Sequence, residues 1–311
     1  MAHSHQRNRR GGTALWIRSA CVVALLGCSA QSSPSSTPVS AVKPSPTVSN
    51  GSVLAKVRQR GRIVVGVKFD VPLFGFKNDA GDLEGFDIEI AKIVASAIFD
   101  TKNADAASRI QFVEALSKDR ESYLQRGTVD IVVSTYTITE SRKQFVDFAG
   151  PYYIAGQDIL ARSADVSSGR IAGVGSLNGK KVCAVTGSTS LANLIAAAPQ
   201  ADTSFSAERY PQCFAALQAG TVDAMTTDDV ILLGLIQSSA GKYALTGNPF
   251  HTEPYGVGIP KGETELRALI NRALDTAFVD GRWAEAFRST VGVVGASAPA
   301  PPQIQDDVDI R

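Results

Sequence analysis

The stretch LQRGTVDIVVST (124–135) returns 93 residues later as LQAGTVDAMTTD (217–228), with L-Q-x-G-T-V-D common to both. Each copy reads as a helix end, a Gly stop and the start of a buried strand. Gly-Thr-Val-Asp is an easy turn, so chance is one explanation. The surroundings argue against it, because each copy sits at a matching place in an alternation of strands and helices. The first series runs strand 62–69, helix 81–99, strand 109–115, helix 121–127, a strand from Val129, a short helix from Glu140 and a strand over 152–162. The second runs strand 179–185, helix 186–199, strand 205–210, helix 211–220, strand 222–227 and helix 228–239. A late strand (254–260) and a helical pair broken near Asp280-Gly281 follow. Such alternation predicts an α/β fold of two similar lobes. At 311 residues, 44% of them hydrophobic, the chain has enough to bury for that.

The two copies diverge where a ligand would be met. In open α/β sheets ligands lie beyond the carboxyl ends of the strands. After the first copy come Ser134, Thr135, Thr137, Thr139 and Arg142; after the second, Thr226, Thr227, Asp228 and Asp229. After the strand KVCAV come Thr186, Gly187, Ser188, Thr189 and Ser190. An Arg grips a carboxylate with two parallel bonds, a helix start offers free N–H groups, and an Asp accepts from an ammonium. Together they suit an α-amino acid, its carboxylate at Arg142 and Thr189 and its amine at Asp228. Each cluster also has a plainer reading. TGSTS suits an ordinary N-cap, Arg142 an ion pair with Asp147, and Asp228 or Asp229 a cap on the next helix.

The N-terminal thirty residues read as a targeting segment. Arg7, Arg9 and Arg10 precede the short apolar run Ser19–Gly27, too short and too interrupted by Arg18 to span a bilayer. Its end, LLGC, resembles the lipobox of bacterial lipoproteins, with Cys28 as the lipidated first mature residue; an ordinary signal cleaved nearby is the other reading. Residues 28–51 are Ser/Pro-rich and read as a lipid-anchored tether. Loss of residues 1–27 removes four Arg, leaving 27 basic against 30 acidic residues, a balance that points to no nucleic acid. Of four cysteines, Cys183 and Cys213 remain after Cys21 and Cys28; in an exported chain they are expected to pair.

The motifs GRIVVGVKFDVPLFGF, LEGFDIEIAKIVA, TYTITESRKQFVDFAGPYY, GKKVCAVTGSTS, VDAMTTDD and EPYGVGIPKG resemble the extracytoplasmic amino-acid-binding proteins of polar-amino-acid ABC importers, the family 3 solute-binding proteins. Within them the chain is most similar to actinobacterial glutamate/aspartate-type lipoproteins. The resemblance covers about residues 52–293. It implies a two-lobed periplasmic-binding-protein fold (type II) with two crossing strands as hinge and the ligand cleft between the lobes. Lobe 1 would be 52–154 plus 252–293, lobe 2 155–251, and 294–311 a disordered tail. It implies that Arg142 and Thr137 hold the α-carboxylate, that Thr189 donates to it, and that Asp228 binds the ammonium, with Thr135, Ser188 and Thr227 in support. Lys68 is the first candidate for an acidic ligand side chain and Arg120 the second; glutamate ranks ahead of aspartate, glutamine and asparagine. No cofactor or metal is expected. The partners would be ABC permease subunits and the membrane, through lipid on Cys28, with the protein a monomer on the outer face of the cell membrane.

Two other classes stay open. A membrane sensor in place of a permease would read the same lobe closure. Prephenate and arogenate dehydratases share the fold, and Glu84 or Glu114 would then be the candidate acid. After signal removal His251 is the sole histidine, so neither a Ser-His-Asp set nor a histidine metal cluster can be built. GVGSLNG (173–179) lacks the spacing of a nucleotide loop.

Overall fold

The computed structural model describes residues 51–295 and 298–305. The signal, Cys28 and the tether up to residue 50 lie outside the described residues. The first portion contains α1 (Val53–Arg60), β1 (Ile63–Val67), β2 (Asp70–Val71), β3 (Gly75–Lys77), β4 (Leu83–Glu84), α2 (Phe86–Phe99), α3 (Asn103–Ala107), β5 (Ile110–Glu114), α4 (Arg120–Gln125), β6 (Ile131–Val132), α5 (Glu140–Lys143) and the long β7 (Val146–Arg162). The second contains α6 (Ser163–Ser167), β8 (Val182–Val185), α7 (Thr189–Ala197), β9 (Ser206–Ala207), α8 (Tyr210–Gln218), β10 (Ala224–Asp228), α9 (Asp229–Ile236) and β11 (Tyr243–Leu245). The chain returns through β12 (His251–Pro260), α10 (Thr264–Asp280) and α11 (Arg282–Ser289).

The main sheet has the order β5-β1-β6-β12-β7-β10-β8-β9, with β11 also on β7. On one side β5 and β6 pair parallel with β1; on the other β9 and β10 pair parallel with β8. Between these halves, β7 and β12 run antiparallel from His251↔Gln157 to Pro260↔Val146 and slip register between Tyr255 and Val257. These two strands carry the main chain from one half to the other. Their apolar faces are packed by an aromatic cluster in which Phe74 meets Tyr153 at 5.5 Å and Tyr255 at 5.8 Å, and Phe86 meets Trp283 at 5.7 Å. Aromatic edges against faces at such separations bury large area and hold geometry.

The repeated heptapeptide does the same work twice. Gly127 and Gly220 are left-handed, at φ 66° and 72°. Each ends its helix by donating to the Leu of its own copy, Leu124 and Leu217, both at 3.2 Å. The repeated Asp then ties neighbouring strands. Asp130 N–H donates to Val64 O at 2.8 Å, and its Oδ2 accepts Val64 N–H at 2.6 Å. Asp223 N–H donates to Lys181 O at 2.8 Å, and its Oδ2 accepts Lys181 N–H at 2.9 Å. The Gly frees the turn and the Asp sets the register of the strand it begins.

Several expectations change. The helix expected from 81 begins at Phe86, because Leu83 and Glu84 pair with β3 in a small antiparallel sheet of β2, β3 and β4. Gly85, at φ 121°, permits this: a Cβ there would lie 2.3 Å from the Phe74 carbonyl oxygen. The strand expected over 205–210 is only Ser206–Ala207, since Gln212 Oε1 accepts the N–H groups of Glu208 and Arg209 and turns the chain into α8. The tail expected to be disordered over 294–311 is anchored at two points among its described residues: Ile304 packs on the core and Gln305 N–H donates to Gly150 O at 3.1 Å. Cys183 of β8 and Cys213 of α8 form a disulfide, Cα–Cα 5.5 Å.

Asp130→Ala should lower unfolding free energy by about 1–3 kcal/mol, the cost of leaving a half-buried strand N–H without its acceptor, and Asp223→Ala by about 0.5–1.5 kcal/mol, since water reaches the exposed Lys181 N–H. Urea denaturation of the two variants checks this; a change in only one would mean the copies are alike in shape alone.

Candidate functional site

The segment leaving β6 forms a clamped turn. Thr135 is held at φ 41°, a costly position for a β-branched residue. Its N–H donates to Asp87 Oδ2 at 2.9 Å, and Tyr152 OH donates to the other oxygen of Asp87 at 2.5 Å. Burial pushes the Asp87 carboxyl up to about 6. On the carbonyl side Arg120 Nη1 donates to Ser134 O at 3.0 Å and Thr135 O at 3.1 Å, and its Nε to Ser117 O at 3.2 Å. Arg120 was expected as a cation for the ligand side chain, after Lys68. Its Nε and Nη1 are given to main-chain carbonyls and its guanidinium stacks 4.3 Å from the Tyr136 ring centre, so it shapes the turn.

Arg142, on α5, is almost fully buried and lies 4.9 Å from the same Tyr136 ring. Its Nη1 donates to Thr137 O at 2.7 Å, its Nη2 to Gly187 O at 3.2 Å, and its Nε lies 3.2 Å from Glu121 Oε1. Asp147, the alternative partner, is taken by Lys261 at 2.8 Å. Burial and the neighbouring Arg120 lower the Arg142 guanidinium to about 10, which leaves it charged at neutral pH.

Facing this turn, Ser188 caps α7 through Leu191 N–H at 3.2 Å, so the N-cap reading of TGSTS holds. Thr189 has a further part. Its hydroxyl lies 3.3 Å from Thr137 Oγ1 and donates to Glu253 Oε2 at 2.7 Å. Glu253 is fully buried on β12, with Asn193 Nδ2 and His251 Nδ1 each 2.9 Å from its Oε1.

At the end of β10, Thr226, Thr227 and Asp228 are all buried. Thr227 Oγ1 lies 3.2 Å from Ser190 Oγ. Asp228 stands at the N-cap position of α9 yet makes no side-chain cap bond. Tyr255 OH donates to its Oδ2, and its Oδ1 is buried with no partner among the described residues, as is Thr135 Oγ1. Burial, reinforced by the charge of Glu253, pushes the Asp228 carboxyl up to about 8. Lys68 is equally enclosed. Its Nζ donates to Ser117 Oγ at 2.9 Å and lies 5.5 Å from the Tyr210 ring centre. Burial, with Arg120, lowers it to about 7, so it is no solvated strand end.

The structure thus brings Thr137, Arg142 and Thr189 into one bonded group, with Thr135 in the adjoining turn held by Asp87 and Arg120, and places Asp228 in a second, with Tyr255 joining them. The Tyr255 hydroxyl holds Asp228, and its backbone bridges to Thr137. Tyr255 and Glu253 both lie in EPYGVGIP, where no charge pattern in the sequence marks them. A mouth cavity of about 550 Å³ is lined by Arg142, Ser188 and Thr189, among others, while Asp228 and Lys68 are outside its lining.

A carboxyl whose folded value lies above its unfolded one binds the proton better when folded, so stability is lost as pH rises toward that folded value. Asp228→Asn should therefore stabilise the ligand-free protein at pH 8 by at least about 1.4 kcal/mol, the equivalent of one pKa unit, and do nothing at pH 4. Thermal unfolding at both pH values checks it.

Residues 63–292 match the family described as bacterial extracellular solute-binding proteins, family 3. The ABC transporter glutamine-binding protein of Bacillus subtilis is 42% identical over 246 residues, covering 78% of this chain and 86% of that one. The glutamate-binding protein of Corynebacterium efficiens is 34% identical over 248 residues, 78% and 83% of the two chains. Among solved structures, an ancestral amino acid-binding protein, described as a precursor of cyclohexadienyl dehydratase, superposes with TM-score 0.68 at 30% identity over 78% of this chain and all of that one.

Proposed function

Since the chain belongs to the bacterial extracellular solute-binding proteins of family 3, we propose that it binds one polar α-amino acid and delivers it to an ABC importer. The observation that carries the reading is Asp228. A fully buried carboxyl group with one oxygen lacking a partner among the described residues costs free energy until a donor reaches it, and a cation there lets it ionise. A ligand ammonium is such a cation. Its carboxylate would then exchange with the main-chain carbonyls that hold Arg142 and meet the free N–H groups at the start of α7. Thr189 would contribute its N–H, because its hydroxyl is already given to Glu253. Thr135, Thr137, Ser188 and Thr227 support the two ends.

Lys68 is the group to read the ligand side chain. A buried ammonium lowered to about 7 is most relieved by an anion, which ranks glutamate first, ahead of aspartate, glutamine and asparagine. The names of the glutamine- and glutamate-binding relatives support a side chain of that length. In this reading residues 52–154 with 252–293 form one lobe and 155–251 the other, closing over the ligand. Cys28 carries the lipid, residues 28–51 form the tether, and the protein works as a monomer against permease subunits at the outer face of the membrane. The dehydratase reading loses one candidate acid: Arg209 bonds Glu114 and holds it below the usual carboxylate range, in the ionised form.

Calorimetric titration of protein refolded free of ligand against the twenty amino acids tests the function. Saturation at about 100 Kd should add roughly 2.7 kcal/mol of stability, and an absence of binding by all twenty would overturn the reading. A second outcome tests Lys68. An ammonium beside Asp228 lowers its value, so binding of any amino acid should strengthen from pH 6 to 8 as a proton is released. An anion beside Lys68 raises its value, so glutamate, unlike glutamine, takes up a proton near pH 8. The ratio of glutamate to glutamine affinity should therefore fall between pH 6 and 9, and Lys68→Met should make it flat.

A further inference from the structure

The three residues Glu208, Arg209 and Tyr210, where β9 passes into α8, face three residues of the opposite half in sequence. Glu208 pairs with Lys118. Arg209 grips both oxygens of Glu114, with Nη2 2.8 Å from Oε2. Tyr210 N–H donates to Asp70 Oδ2 at 3.2 Å. Every contact joins opposite charges or a donor to an acceptor. The halves approach closely beside them: a Cβ on Gly187 would lie 2.6 Å from Lys118 Cα. The start of α8 is braced on its own side, because Cys213 is disulfide-bonded to Cys183 of β8.

We propose that Arg209 and Glu114, flanked by Lys118–Glu208 and Asp70–Tyr210, are affinity-setting residues that act by holding the cleft closed and do not touch the ligand. The inference rests on the two-lobe reading above. Apparent affinity is the intrinsic affinity multiplied by the fraction of molecules in the binding-competent state. A pair that favours closure therefore changes the Kd of every ligand by one factor. Planar two-point Arg–carboxylate contact is the strongest form such a pair takes. Both side chains are about one-third exposed, 36% and 29%, so salt screens the contact. Tyr210 links the pair to the site, since its N–H is held by Asp70 while its ring faces Lys68.

The test uses Arg209→Glu, Glu114→Arg and the double exchange, with glutamate and glutamine Kd measured at 50 mM and 1 M salt. The distance between spin labels on the two lobes is measured with and without amino acid. Each single variant should weaken glutamine, whose side chain is neutral, about tenfold at low salt, and glutamate by that same factor together with the separate effect of the reversed charge on Lys68. Each should also shift the ligand-free distances toward the open form. The exchange should restore most of the loss, and 1 M salt should narrow the gap from the natural protein. Unchanged Kd and unchanged distances in the single variants would overturn the proposal, as would loss confined to one ligand. If no amino acid binds, the ligand-free distances still decide it, so failure of the functional reading is read separately.

Discussion

The antiparallel pairing of β7 with β12 is the constraint on which the rest depends. A sheet whose two sides are each parallel needs something to join them, and here two long strands do so with main-chain hydrogen bonds. Their register fixes which residues of one half face which of the other. The slip between Tyr255 and Val257 falls beside the site, and the irregular pairing lets Tyr255 bridge to Thr137 while its hydroxyl meets Asp228. The aromatic cluster packed on these strands makes that geometry stiff, because moving one ring means moving several.

A second theme is charge kept out of water. Lys68, Asp87, Arg120, Arg142, Asp228 and Glu253 are all buried. Asp87, Arg120 and Glu253 are each held by several partners, hydroxyls, amides, main-chain carbonyls and the His251 ring, as buried charge requires. Asp228 differs, with one oxygen left over. A well-satisfied frame around an incompletely satisfied acid is what distinguishes a binding surface from a core, since the frame resists collapse onto the gap.

Much of this was legible in the sequence. LQxGTVD was legible because Gly and Asp act locally: a left-handed turn and a carboxylate accepting a nearby strand N–H need no distant partner. Arg142, Thr189 and Asp228 were legible because strand ends in such sheets converge. Arg120 and Lys68 looked interchangeable, both being cations before or within strand ends. Only the fold separates them, sending one onto the carbonyls of Ser134 and Thr135 and the other against Tyr210. Glu253 and Tyr255 were illegible for a related reason. A crossing strand brings residues together that are far apart in sequence, and EPYGVGIP reads as an ordinary strand. The small β2–β4 sheet escaped because its strands are two or three residues long and owe their pairing to Gly85.

The two described ends of the chain are both fastened to the same half. Val53 N–H donates to Glu263 at 3.0 Å, and Gln305 returns to Gly150. Residues 163–250, by contrast, are entered through β7 and left through β12, with neither end of the chain among them. Mechanically they are an inserted loop of the fold. Tension applied to the chain ahead of Val53 is borne by β1, α1 and α10 and passes the inserted half by. Load entering ahead of Val53 therefore reaches residues 163–250 only through β7 and β12.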